Sequence, residues 1–195
     1  MKIAITGGIG AGKSYVCQCL RSRGIDVFDC DAAAKRLMRT SATLQAALRK
    51  LVGDDVFSHD AQPVLNKSLL ASFLLASDSH RQALNDLVHP AVAADFIRSG
   101  SEWLECAIFF DSGFHKRVPI ERVVCVTAPL ELRIQRVMAR DGISRDKTLE
   151  WIHRQLPQED VLRRSDFEIV NDGTADVIRQ IDDLLQRWGN HINNV

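Results

Sequence analysis

Eight consecutive residues, Gly7-Gly8-Ile9-Gly10-Ala11-Gly12-Lys13-Ser14, constrain this chain more than any other feature. They match G-x-x-x-x-G-K-[ST], follow a β-rich run from Lys2 to Thr6, and lead into a helical segment from Tyr15 to Ser22. Successive backbone N–H groups can surround an anion only where no Cβ obstructs the required conformations, which is why the chemistry calls for glycine. The helix that opens at Gly12 and Lys13 aims its unpaired N–H groups and positive dipole end at the same anion. A chance match in a chain of this length is expected on the order of 0.01 times, so a glycine turn that binds nothing is the weaker reading. The loop therefore predicts binding of a nucleoside triphosphate, with ATP as the expected nucleotide. Gly8, Ile9, Gly10, Ala11 and Gly12 supply main-chain donors, Lys13 a cation for the β- and γ-phosphates, and Ser14 a hydroxyl for Mg²⁺.

That anion has to be met locally. Lys+Arg 25 against Asp+Glu 25 leaves a formal charge of +0, with no global field to hold a nucleic acid, and none is expected as a partner. The densest apolar run, Leu69 to Ala76, falls well short of the roughly 18 residues a membrane span needs, so no membrane association is expected. The opening Met-Lys-Ile-Ala-Ile-Thr lacks a signal-peptide pattern, and a cytoplasmic protein beginning at this methionine is expected. Cys17, Cys19, Cys30, Cys106 and Cys125 include no C-x-x-C pair, which argues against disulfides and structural zinc. The sequence is silent on assembly, and a monomer is the default.

Lys2–Thr6, Ile25–Phe28, Leu104–Phe110, Val123–Thr127 and Phe167–Val170 read as strands alternating with helical segments. The expected fold class is α/β, a parallel sheet sandwiched by helices. Residues 32–100 contain no convincing strand. Ala32–Val52, Lys67–Ala76, Ser79–Val88 and Ala91–Arg98 all read as helical, forming a lobe inserted in a core of residues 1–31, 101–128 and 165–195. A second helical stretch, residues 129–164, is rich in arginine and reads as a lid. The apolar stripe from Val177 to Trp188 is core packing.

The second strand ends in Asp29-Cys30-Asp31. If the strand continues, both carboxylates share a face at its C-terminal end, where one could take an acceptor proton and the other hold Mg²⁺ water. N-capping of the helix beginning at Ala32 is an equal reading for either acid. Asp111 closes the third strand and is read first as a turn residue before Gly113, second as a Mg²⁺ partner. Arg133, Arg136 and Arg140 recur at i, i+3 and i+7, a stripe suited either to phosphates or to solvated salt bridges. His89, before Pro90, reads as a packing or capping residue. A GTPase switch is the weaker alternative, because Asn66-Lys67 is followed by Ser68-Leu69 and no Asp has Gly three places later. Another small-molecule P-loop kinase is the nearer one.

Taken together these motifs resemble the dephospho-coenzyme A kinases over nearly the whole chain. Thr6 to Ser14 is similar to the family's opening, and Val27 to Asp31 with Ala34-Lys35-Arg36 to its Asp-Ala-Asp segment. Leu65-Asn66-Lys67, Leu69, Arg81, Leu84 and His89-Pro90 resemble the lobe that holds the coenzyme. Arg136, Arg140-Asp141 and Gln155 resemble the lid, and Ser165 to Gly173 the closing segment around Asn171. The resemblance implies a P-loop NTPase-type fold and transfer of the ATP γ-phosphoryl group to the ribose 3′-hydroxyl of dephospho-coenzyme A. It implies Asp31 as general base, with Lys13 and Arg140 beside it in catalysis. Arg136, Arg140 and Asn171 join the loop at ATP, and Lys35, Lys67, Arg81 and His89 join Asp31 at the acceptor. Asp29 is a further candidate for the metal. Three departures stand out. Glu105 to Asp111 replaces the family's Asp-x-Pro-Leu-Leu-Phe-Glu, Trp151 stands where the lid often has Arg, and Lys67 replaces a frequent Arg.

Overall fold

A computed structural model describes residues 1–60 and 63–189. The chain divides into a sheet unit, Met1–Phe28 with the residues from Ser101 on, and a helical unit, Asp29–Gly100.

Five strands form the sheet: β1 (Ile3–Thr6), β2 (Val27–Asp29), β3 (Trp103–Glu105), β4 (Arg122–Thr127) and β5 (Phe167–Val170), in the order β2-β3-β1-β4-β5. β1 lies parallel to β3 and β4, with Ile5 opposite Glu105 and Val124, and β4 lies parallel to β5. All four residues of β1 are buried, as expected of a central strand covered on both faces. Its C-terminal end runs directly into the glycine loop.

Helix α1 (Lys13–Arg21) and the last helix, α9 (Val177–Gly189), pack together, and α9 also packs on β5. Val16, Cys17 and Leu20 of α1 join Ile181, Leu184 and Trp188 of α9 around Ile3, Ile5, Val124, Val126 and Ile169. Each large aliphatic side chain removed from water there contributes about 1.5–3 kcal/mol. This core anchors both ends of the loop. The stretch between β4 and β5 folds as α6 (Leu130–Asp141), α7 (Arg145–His153) and α8 (Gln158–Arg163), with α6 against α7 and α8 against β4. Gly142, at φ 66, closes α6 in the left-handed conformation that a Cβ would disfavour.

The third strand is shorter than its apolar run predicts. It stops at Glu105, after which Cys106 N–H donates one last bond to Ile5 O at 3.0 Å, and the chain turns. Phe109 and Phe110 are buried within those turns, where Phe109 packs edge-on against Phe110 and Phe114. A buried apolar run need not be a strand, because periodicity reports burial rather than backbone pairing.

In the helical unit, α2 (Cys30–Thr40), α3 (Ala42–Val52) and α4 (Lys67–Ala76) surround α5 (Asp78–Ser99). The single helix expected over Ala32–Val52 breaks at Ser41, whose extended backbone ends α2 and whose hydroxyl caps Leu44 N–H of α3 at 3.2 Å. The opposite happens at His89-Pro90, where two expected helices are one. Proline removes a single helical donor, and burial of Val88, Val92, Ala93 and Phe96 on both sides of it keeps α5 continuous.

Candidate active site

The glycine loop is a closed curve held from behind. Gly7, Gly10 and Gly12 have φ of 138°, 79° and 98°, values L side chains rarely adopt. A Cβ at Gly10 would also lie 2.5 Å from Arg133 O, and one at Gly12 would strike the Asn171 amide. Ala11 N–H closes the curve on Gly8 O at 3.2 Å. Among the described residues, the N–H groups of Gly10, Gly12, Lys13 and Ser14 meet no acceptor. Four unengaged amides at a helix start form an anion cup.

Lys13 is buried beneath this cup. Its Nζ donates to Gly7 O at 2.8 Å and Gly8 O at 3.3 Å, and lies 3.9 Å from Glu105 Oε1. Burial pulls the ammonium below its ordinary pKa, and Glu105 opposes that shift. Glu105 is a neighbour that motif spacing did not single out. The β1–β3 register supplies it, by setting Glu105 beside Ile5 just before the loop begins. Ser14 is exposed in the first turn of α1. The described residues contain no cluster of three or more His, Cys, Asp or Glu side chains fit for a metal.

The arginine stripe of α6 separates into two fates. Arg133 is buried and its Nε donates to Ile9 O at 3.0 Å, while Arg136 reaches Gly10 O and Ala11 O at 3.4 Å each. Arg136 also donates to Asn171 Oδ1 at 3.2 Å, and Asn171 Nδ2 donates to Ala11 O at 2.9 Å. Asn171 thus braces the outside of the loop. Arg140, one turn further on, instead grips its neighbour Asp141 with two bonds of 2.9 and 2.7 Å, which raise its own pKa and hold the Asp141 carboxyl below the usual range. Arg154, at the end of α7, pairs with Glu150.

Behind α7 the chain returns to the loop. Gln155 Oε1 accepts from Ile9 N–H at 2.7 Å, and Asp111 Oδ1 accepts from Leu156 N–H at 2.6 Å. Asp111 therefore tethers the segment after α7, a long-range contact that neither its turn reading nor its Mg²⁺ reading anticipated.

In the helical unit, Asp29 Oδ1 accepts from Ala32 N–H at 2.9 Å and caps α2. Asp31 stands exposed in the first turn of α2 and is ion-paired with Lys35, whose ammonium is raised by that bond. Lys35, Arg39 and Lys67 line a cavity of about 1040 Å³ together with Met38, Val64 and Leu70. Three cations beside apolar wall suit a ligand that is anionic at one part and greasy at another. Arg81 and His89 are absent from that lining. Arg81 donates to Leu74 O at 2.8 Å and pairs with Asp78, tying the end of α4 to the start of α5. His89 lies mid-helix in α5.

The family model for dephospho-CoA kinase matches residues 1–176. The chain belongs to the dephospho-CoA kinase family. A curated dephospho-CoA kinase from Bacteroides fragilis strain YCH46 is 39% identical over 193 residues, covering 95% of this chain and 91% of the relative. A crystal structure from Thermus thermophilus is 30% identical at a TM-score of 0.80, covering 96% of each chain. The dephospho-CoA kinase structure from Campylobacter jejuni, 20% identical with a TM-score of 0.67, covers 98% of this chain and 99% of its own, and shows that the P-loop kinase fold is shared. Membership makes the chain an ATP-dependent phosphotransferase. Among the described residues, no helix is long and apolar enough to cross a membrane.

Proposed function

We propose that this chain phosphorylates the ribose 3′-hydroxyl of dephospho-coenzyme A, with ATP bound at the glycine loop and Asp31 as general base. The observation that carries the reading is the cup itself, four unengaged amides from Gly10 to Ser14 around the buried Lys13. The acceptor oxygen forms a bond to the γ-phosphorus while the bond from that phosphorus to the β,γ-bridging oxygen breaks. The hydroxyl proton passes to the Asp31 carboxylate, and ADP leaves with the electron pair. Positioning and charge neutralisation do most of the work in such transfers, and main-chain donors already fixed in place contribute without reorganising.

Lys13 follows the β- and γ-oxygens, exchanging its loop carbonyl partners for phosphate. Arg136, within reach of both the loop and Asn171, adds positive charge at the polyphosphate. Arg140 joins only if it leaves Asp141, so its contribution is the smaller of the two. In the helical unit, Lys35 and Lys67 face the acceptor's phosphates while the apolar wall of the cavity takes its pantetheine arm. Lys35 also pairs with Asp31 and holds that carboxylate at the start of α2.

The exposed Ser14 hydroxyl, in the first turn of α1 beside the loop, is the group that would help hold Mg²⁺ with the nucleotide phosphates. When bound, the ion neutralises charge on the β- and γ-oxygens.

An ADP-release assay with Mg-ATP across candidate acceptors tests the reading. Dephospho-coenzyme A should support turnover, and shikimate, gluconate and nucleoside monophosphates should not. Preferential phosphorylation of any of those three overturns it.

A further inference from the structure

The peptide groups flanking Ile9 are gripped from two sides. Arg133 of α6 takes the Ile9 carbonyl at 3.0 Å, and Gln155, beyond α7, takes the Ile9 N–H through Oε1 at 2.7 Å. Leu156 N–H, on the next residue, is held by Asp111 Oδ1 at 2.6 Å, so the backbone that carries Gln155 is itself anchored. Using the carbonyl end of a primary amide in this way leaves the other end directed by it. Gln155 Nε2 gives its two N–H groups to no other described residue. Gln155 is half-buried, so those donors are neither swallowed by the core nor freely rotating in solvent.

We infer that Gln155 is a phosphoryl-contacting residue: Oε1 docks on the Ile9 amide, and Nε2 donates to the γ-phosphoryl oxygens of ATP held in the loop. This rests on the nucleotide assignment of the loop proposed above. A neutral amide suits the position. It stabilises charge on the transferring group without the cost of burying another cation beside Lys13 and Arg133, both of which burial already pulls toward their neutral forms. Gln155 thus contributes a donor that ADP, lacking a γ-phosphate, cannot use.

The decisive comparison is Gln155→Ala against Gln155→Glu, measured by calorimetric titration of Mg-ADP and of a non-hydrolysable β,γ-imido ATP analogue. A glutamate retains an acceptor for Ile9 N–H but loses both donors. If the donors matter, Ala weakens the analogue about tenfold, the loss of one hydrogen bond to a charged group, and Glu weakens it more than Ala does. ADP affinity stays within about twofold in both variants. Turnover then ranks Gln above Ala above Glu, with Ala down about 100-fold in kcat, the scale of one lost transition-state donor. Rescue of analogue binding by Glu relative to Ala, or equal weakening of ADP and analogue in Ala, overturns the inference and leaves Gln155 a loop brace. Melting temperatures of both variants within a few degrees of the parent exclude misfolding, and Gln155→Asn serves as a second probe if Ala melts early. Because titration needs no acceptor, this result is independent of whether dephospho-coenzyme A is the substrate. Failure of the parent chain to bind either nucleotide refutes both proposals.

Discussion

The glycine loop and the cation-lined cavity of the helical unit both present positive character to anions, but they do so with different atoms. The loop uses backbone N–H groups fixed by α1, β1 and the Arg133 and Asn171 side chains behind them, with Lys13 buried below. The cavity uses Lys35, Arg39 and Lys67, flexible side chains on helices that are themselves held by surface ion pairs such as Arg36–Asp95. Main-chain donors cannot be moved without moving the chain, so the loop tolerates no Cβ where φ is positive. Side-chain cations are individually replaceable and contribute in increments.

The steepest test of that contrast is Gly12→Ala. Left-handed backbone costs a non-glycine residue about 1–2 kcal/mol, and the new methyl meets the Asn171 amide, so ATP-dependent turnover should fall at least about 1000-fold with a lower melting temperature. Lys13→Ala should be comparably inactive and melt lower, since it takes a buried donor from the Gly7 and Gly8 carbonyls and a cation from beside Glu105. Near-parent turnover in either variant breaks the view of the loop as the catalytic cup.

Next in size is Asp31→Asn, which should lower kcat about 100-fold with both KM values within about threefold. A fall confined to KM would make Asp31 a binding group like the lobe's lysines.

Smaller again is the division within α6. Arg136→Ala should raise KM for ATP about tenfold, whereas Arg140→Ala should change it less than about threefold, because Arg140 is engaged with Asp141. Equal effects would mean that the stripe acts as one surface.

On the cavity side, Lys67→Ala should raise KM for dephospho-coenzyme A about fivefold and leave KM for ATP unchanged, the scale of a single exposed charge contact. Smallest of all, Arg36→Ala should cost no more than about 1 kcal/mol of stability by denaturant titration, since half of that arginine is in water.

Much of the architecture could be read along the chain. All five strands are present near their expected positions, and the helical stretch between the second and third is a separate unit. Departures cluster where a local pattern has two physical solutions. The apolar residues after Cys106 are buried in turns rather than in a strand, because aromatic packing satisfies burial without a ladder. Asp29 takes the capping role, one of its two expected readings, because Ala32 N–H at the helix start needs an acceptor within reach. Arg81 points into its own helix pair because the end carbonyls of α4 need donors. Glu105 and Arg133 were the hardest to assign. One depends on strand register, and the other on which of three equally spaced arginines lies nearest the loop.

The order of residues by itself determined the loop, since glycine content decides a short backbone's conformation locally and a lysine and serine at fixed offsets complete it. Resemblance pointed to Asn171 at the nucleotide, but only the tertiary structure decided which atoms of the distant side chains meet that loop. Glu105, Arg133, Asn171 and Gln155 are separated from it by between about ninety and one hundred and sixty positions, and nothing in their spacing encodes the contact. Proximity of that kind arises only when strands pair and helices pack, which is a property of the whole chain at once.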